Sequence, residues 1–185
     1  MLSLDFSQFP ELSTERTLLK QMQISDAKAF YTMRSSPEMM KYISRPLHQS
    51  VEETEQFIQK IIDSIQQNEY INWGIFLKTN PEVLIGSIGF YRIKLEHYRG
   101  EVGYMLHHDY WKQGIMYEVL KTVVQYGFEK IKFHSIEADI NPKNMASRAL
   151  LLKAGFVKEA YFKENMFSNG VFEDSEIFSM LTPYK

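Results

Sequence analysis

The sequence contains no cysteine, which removes disulfide staples, thiolate metal sites and a cysteine acyl-enzyme together. It also lacks an excess of either charge. Lys and Arg total 21 against 23 Asp and Glu, giving a formal net charge of -2 and a sequence pI near 6.2. With no global basic field to draw in a phosphate backbone, general nucleic-acid binding is not expected. No run of about 18 apolar residues occurs, and the opening MLSLDFSQFPELSTER has neither a basic n-region nor a long apolar stretch. A membrane partner is therefore not expected, and the reading is a cytoplasmic protein. Neither GxxxxGK nor a strand-following GxGxxG is found, so nucleotide hydrolysis and dinucleotide redox chemistry lack their signatures. Repeats, linkers and low-complexity segments are missing too. What remains is a chain of 185 residues, 44% hydrophobic and 14% aromatic, sized for a single domain over residues 1–185.

Residues 16–22, with TLLKQM, suit a short first strand, and Ser25 and Asp26 open a helix carrying Ala29, Phe30 and Met33. Pro37 and Pro46 bracket a loop with Met39, Met40, Tyr42 and Ile43, either core cover or the wall of an acceptor site. Ser50 and Glu53 have capping-box spacing, and Phe57, Ile58, Ile61, Ile62 and Ile65 then recur at helical period. From Trp73 the period changes. WGIFLK, a turn at Asn80 and Pro81, VLIGSIGFYRI and EVGYML read as three successive antiparallel strands, with Val102, Tyr104 and Leu106 on one face of the third and Glu101, Gly103 and Met105 on the other. A helix is expected from 115 to about 129 and a strand over 134–140. Asn144 then caps MASRALLLKA, which Gly155 ends. Two last strands, FVKEAYF and FEDSEIFSML, meet around Asn169 and Gly170, a preferred tight-turn pair.

One junction carries chemistry. A strand feeding a glycine-bearing turn at the start of a long helix makes an anion site, because first-turn amides have no intrahelical acceptor and the helix dipole favours negative charge there. Those amides belong to residues 113–117, and Gly114 lets a phosphate approach the backbone closely. A lone glycine at a helix start more often has an ordinary structural role.

The order of the whole chain is more specific. STERTLLKQMQISDAKAFYTMRSSPEMMKYI, IGSIGFYRI and above all EVGYMLHHDYWKQGIMYEVLKTVVQYGFEKIKFHSIEADINPKNMASRALLLKAGFVKEA resemble the GNAT superfamily of N-acetyltransferases, in its ribosomal-protein-alanine acetyltransferase-like (RimJ/RimL-type) branch. The resemblance implies the α/β (α+β) GNAT fold: a single mixed, mostly antiparallel twisted sheet of about seven strands, about four flanking helices and a V-shaped split between the central parallel strands. It implies acetyl-CoA as co-substrate, no metal, and an amine acceptor, either a peptide N-terminus or a small molecule. The coenzyme's pyrophosphate would lie on the amides of Lys112, Gln113, Gly114, Ile115, Met116 and Tyr117. Met105, Leu106, Ile140 and Asn141 would line the acyl group and pantetheine arm, beside a bulge in the strand over 101–106. Asn144, Ser147 and Arg148 match the run that approaches the coenzyme from the next helix. Two departures stand out: Trp111 and Met116 bound the turn, where Met116 is expected to crowd the phosphates, and Leu151 replaces a tyrosine that in many members protonates the leaving thiolate.

With no cysteine, direct transfer in a ternary complex is the expected route. Ser147 is the candidate for the departing sulfur, Glu101 for the amine proton and Asn141 for orienting either partner. Their plain alternatives are a local backbone contact, a solvated carboxylate and turn formation. His107, His108 and Asp109 lie in a row, but neighbours on an extended chain alternate in direction, so no metal site is expected; His107 is a minority candidate for general base. Tyr110 and Trp111 read as core anchors or coenzyme-stacking rings. Trp73, Tyr91 and residues 162–172 are further candidates to shape the acceptor pocket. A non-catalytic acyl-CoA sensor of the same fold remains the competing reading, and a homodimer is left open.

Overall fold

The computed structural model describes residues 1–168 and 170–184. Its centre is an eight-stranded sheet in the order β1-β2-β3-β4-β5-β6-β8-β7. These strands are β1 Leu12–Ser13, β2 Thr17–Lys20, β3 Ile71–Leu77, β4 Asn80–Lys94, β5 Arg99–Leu106, β6 Ser135–Ile140, β7 Val157–Ser168 and β8 Val171–Leu181. The helices are α1 Ala27–Arg34, α2 Val51–Gln66, α3 Ile115–Tyr126 and α4 Met145–Ala154. The sheet has one strand more than the seven expected, because Leu12 and Ser13 fold back on Leu19 and Leu18.

Local signals set most boundaries. Ser50 Oγ accepts the Glu53 N–H at 3.2 Å, while the Glu53 carboxylate reaches one residue further back than in an ideal capping box, to the Gln49 N–H at 2.6 Å. Asn144 caps α4 by accepting the Ser147 N–H at 3.1 Å, and Gly155 ends that helix at φ +98°. The helix expected to run to about residue 129 leaves α geometry at Tyr126 and continues as a π-helical turn, Gly127–Ile131. Of the predicted final turn, Asn169 lies outside the described residues; Gly170 has φ +80°, a left-handed turn position.

The two faces of the sheet are dressed differently. Trp73, Phe90, Val102 and Tyr104 point toward α3 and α4: the rings of Trp73 and Tyr126 meet edge-on at 5.5 Å, and Phe90 packs beneath Gly127. On this side Val119, Leu120, Val123, Ile136 and Leu151 are fully enclosed. Trp73, whose indole donates to the Pro10 carbonyl at 2.6 Å, is thus a core anchor and no wall of an acceptor pocket. The opposite face carries Tyr91, Glu101, Gly103 and Met105 and lies under α1 and α2.

Among the described residues β5 and β6 form the single parallel pair, and they stay together for only three positions: Arg99 with Ser135, Gly100 with Ile136 and Glu101 with Glu137. Beyond Glu101, β5 continues along β4 as far as Leu106 opposite Gly86, while β6 continues along β8 as far as Ile140 opposite Glu176. The two strands therefore part, and the facing edges of residues 102–106 and 138–140 lie outside any ladder. The bulge expected within residues 101–106 sits instead in β4. Three steps from Tyr91 to Lys94 oppose two from Glu101 to Arg99, and Arg92 takes φ +45°. Gly100 admits the Phe133 ring beneath the junction, since a β-carbon there would fall 2.7 Å from its Cζ.

A β-carbon at Gly127 would lie 2.7 Å from Phe90 Cζ and 3.0 Å from Ile136 Cδ1. Phe90 is itself held by Trp73 and Phe133 and has no room to yield. Gly127→Ala should cost about 1–3 kcal/mol from overpacking, read as a lower denaturant midpoint at unchanged slope.

Candidate active site

The turn after β5 is built by left-handed residues. After a short 3-10 turn, His108–Tyr110, Lys112 adopts φ +58° and Gly114 φ +79°, and α3 begins at Ile115. The helix ladder starts with the Tyr117 and Glu118 N–H groups, which donate to the Gly114 carbonyl at 3.2 and 3.3 Å. The N–H groups just before them are left outside it. Lys112, Gln113 and Gly114 are exposed, whereas Ile115 is buried and would contribute only backbone. Trp111 ties the turn to the end of β5 by donating from its indole to the Leu106 carbonyl at 2.7 Å, so it is a strut. Met116 packs partly buried against the core. The Tyr117 ring lies beneath the ammonium groups of Lys153, at 4.6 Å, and Lys121, at 5.7 Å.

Arg16 is a neighbour that sequence reading missed. Its guanidinium pairs with Glu118 at 2.6 Å, Thr14 Oγ1 donates to the same carboxylate at 3.2 Å, and a β-carbon at Gly114 would lie 3.4 Å from Arg16 Nη2. The hydrogen bond from Arg16 holds the Glu118 carboxyl below its ordinary range. A positive group thus stands at the turn and offsets the acidic residue in the helix's first turn. Its only sequence signal was a lone arginine just before the first strand.

Along the opening between β5 and β6, Met105 and Leu106 are buried and Ile140 is half-buried. Ser147, buried in the first turn of α4, has its hydroxyl 2.7 Å from the Tyr104 hydroxyl. Burial pushes the Tyr104 phenol up to about 12, so it stays protonated and able to donate at neutral pH. Leu151 lies one turn further along α4, fully enclosed. Leu151 carries no hydroxyl, and the one beside Ser147 belongs to Tyr104. The alternation of EVGYML had placed Tyr104 on the helix-facing side, a signal sufficient to find it.

Arg148 and Asn141 are engaged structurally. Arg148 reaches Glu176 at 2.7 Å and the Pro142 carbonyl at 3.1 Å, and Lys158 reaches the same carboxylate at 2.6 Å. Burial raises Glu176, but hydrogen bonds from Lys158 and Arg148 outweigh it and leave the carboxyl below its usual range. Asn141 accepts the Lys143 N–H at 2.9 Å in a side-chain turn and donates to Glu173 at 3.2 Å. Asn144 serves as the cap of α4.

Glu101 sits on the face away from Ser147, at the last paired position before the strands part. Burial raises its carboxyl; Arg92, 2.9 Å away, opposes this, and the nearby Asp139 and Glu137 reinforce it. His107, His108 and Asp109 do not lie on an extended chain as expected. The 3-10 turn brings one ligand atom of each within 4.8 Å of the others, and the Asp109 N–H donates to His107 Nδ1 at 3.4 Å. Among the described residues no helix is long and apolar enough to cross a membrane.

A sheet that parts beside an uncapped helix start is the framework of an N-acetyltransferase. The model of the acetyltransferase (GNAT) domain matches residues 16–157, and the chain belongs to that family. It is 35% identical over 175 residues, covering 95% of this chain and 98% of the other, to an uncharacterized N-acetyltransferase, YoaA, of Bacillus subtilis (strain 168). It is 27% identical over 119 residues, 64% of this chain and 61% of the other, to the ribosomal protein uS5-alanine N-acetyltransferase of Escherichia coli (strain K12). Among solved structures, RimL, a ribosomal L7/L12 α-N-protein acetyltransferase in complex with coenzyme A, superposes with a TM-score of 0.85 at 19% identity, covering 95% of this chain and 100% of the other.

Glu176 is 3% exposed and holds α4 to the sheet through Arg148. Glu176→Gln should lower stability by about 1–3 kcal/mol through lost charge-assisted hydrogen bonds. Amide exchange should rise at residues 142–148, whereas an unchanged exchange pattern would show that Arg148 does not anchor the helix.

Proposed function

We propose that the protein transfers an acetyl group from acetyl-CoA to a primary amine, directly within a ternary complex. The observation that carries this reading is the parting of β5 from β6 immediately beyond Glu101 and Glu137, with a helix start free of side-chain caps at its rim. The residues fit the coenzyme. The turn over residues 112–117 offers backbone N–H groups to the pyrophosphate, and Arg16 adds a cation beside Gly114. Met105, Leu106 and Ile140, with the Asn141 backbone, give apolar walls and unpaired strand edges for the pantetheine arm, and α4 brings Ser147 to the cleft.

Acetyl-CoA would supply the activated acyl group as a thioester. Glu101, whose carboxyl burial holds above its ordinary range, takes up the proton of the incoming amine. Ser147 Oγ donates a hydrogen bond to the departing sulfur and the Tyr104 hydroxyl behind it orients Ser147; the thiolate leaves and takes its proton from solvent, to which Glu101 returns the one it took from the amine. Glu101 lies on the α1 and α2 face and Ser147 on the α3 and α4 face, so amine and coenzyme enter from opposite sides of the sheet. The acceptor in this reading is a peptide N-terminus or a small-molecule amine. A non-catalytic acyl-CoA sensor, made conceivable by Met116 and Leu151, is the competing reading; the Tyr104–Ser147 hydroxyl pair favours catalysis.

Turnover would be followed by thiol release on an amine panel. Ser147→Ala and Glu101→Gln should each lower kcat by about 100-fold while acetyl-CoA affinity stays within about twofold. Wild-type turnover in both variants would remove these assignments. Because burial raises Glu101, activity should be lost on the acid side at a pH above the ordinary glutamate range as the carboxylate takes up its proton. That acid limb should vanish in Glu101→Gln.

A further inference from the structure

The segment between β5 and α3 gathers side chains that an extended chain would send apart. His107, His108 and Asp109 follow Leu106, the last residue of β5, and neighbours on an extended chain alternate in direction. After His107 the chain instead winds through the 3-10 turn His108–Tyr110. Backbone hydrogen bonds fix that winding. The His107 N–H donates to the Ile85 carbonyl at 2.8 Å, and the Tyr110 and Trp111 N–H groups donate to the carbonyls of His107 and His108, each at 3.0 Å. Gln113 braces the turn from the far side, its side-chain amide donating to the Asp109 carbonyl at 2.7 Å. The backbone under all three residues is therefore set without help from any ligand.

On this frame the donor atoms converge. One from each residue lies within 4.8 Å of the other two. Asp109 divides its oxygens between the rings, with Oδ1 3.0 Å from His108 Nε2 and Oδ2 3.6 Å from His107 Nδ1. Bonds of about 2.0–2.2 Å to a single ion put neighbouring donors about 3–3.5 Å apart, so both contacts need little adjustment. The two imidazoles are stacked, with 4.5 Å between centroids and 26° between planes. Each meets an aromatic neighbour edge-on, Tyr110 at 6.1 Å from His107 and Trp111 at 6.3 Å from His108. His107 Nδ1 accepts the Asp109 N–H at 3.4 Å, so it carries a lone pair, and that bond is too long to hold the lone pair strongly. Asp109 Oδ2, an acceptor only, stands 3.6 Å from the same atom. Two acceptors placed in this way are drawn together by a positive centre between them. The side chains of His108 and Asp109 are 47% and 66% exposed, which keeps the approach open to an ion and its waters.

The geometry points to a binding site for a divalent transition-metal ion on His107, His108 and Asp109, at the root of the turn that begins α3. The expectation of no metal assumed an extended chain, and the 3-10 turn removes that assumption. Two imidazoles and a carboxylate suit zinc, nickel or copper; magnesium and calcium prefer all-oxygen sets. Three protein donors leave the remaining positions to water, so this is an open site and not a closed structural one. The inference goes beyond acyl transfer and needs neither coenzyme nor acceptor.

The test is calorimetric titration of the untagged full chain with Zn²⁺, Ni²⁺, Cu²⁺ and Mg²⁺ salts alone. The three transition ions should bind saturably, with dissociation constants below about 100 µM and copper tightest, while magnesium should give no signal. Cu²⁺ should also quench Trp111, whose ring lies 6.3 Å from His108, and spare the emission of Trp73, which is enclosed in the core. His108→Ala and Asp109→Asn change exposed side chains, so folding should survive. Each should weaken Zn²⁺ binding by about tenfold or more, at least the effect of losing an outer partner of a metal ligand. His97→Ala, at an exposed histidine elsewhere, should leave it unchanged. Zn²⁺ affinity that survives both site substitutions, or falls equally in His97→Ala, would overturn the site, as would the absence of saturable binding by all three transition ions. Magnesium binding as tightly as zinc would overturn the assigned class of ion.

Discussion

The structure depends on a parallel strand pair that is not allowed to run its length. β5 and β6 share three positions and then follow different neighbours, β4 on one side and β8 on the other. Continuing the pair would satisfy more backbone groups, so the parting must be held by what surrounds it. β5 is held along β4 as far as Leu106, where the Trp111 indole clamps the strand end. β6 is held along β8, and Glu176, opposite Ile140, gathers Arg148 and Lys158 and so fixes the start of α4. The gap is a consequence of two well-paired strands pulled toward separate anchors, and it leaves polar backbone edges within an otherwise apolar sheet.

The rest of the site follows from which side of that gap a residue faces. Period-2 alternation sends Tyr104 to α4 and Ser147, and sends Glu101 and Gly103 to the face under α1 and α2. One side thus collects the Tyr104 and Ser147 hydroxyls and the start of α3; the other collects Glu101, a carboxylate that burial raises. In the proposed transfer the amine gives up a proton and the departing thiolate needs a hydrogen-bond donor, so the two would meet opposite chemistry on the two sides of the sheet.

Much of this was legible in the sequence. The periods gave α2, α3, α4 and the β3–β4–β5 meander, and Asn144 and Gly155 gave the ends of α4, because these are local signals with short-range causes. Whole-chain resemblance, rather than any single motif, gave the split sheet. Less visible were features made by distant residues. Arg16 reaches Glu118 across 102 positions, which no pattern along the chain records. Trp73 looked like a pocket wall and proved a core anchor for the same reason: its face of the sheet is set by register with Ile88, not by its own neighbours. The bulge fell in β4 at Arg92 because one extra residue can be absorbed by either strand of a pair.

The most direct measurement is a crystal structure of the protein soaked with coenzyme A. The account predicts pyrophosphate on the amides of residues 112–117 and the thiol between β5 and β6, within hydrogen-bonding reach of Ser147 Oγ. Coenzyme bound elsewhere, or strands 102–106 and 138–140 zipped together beneath it, would contradict the account.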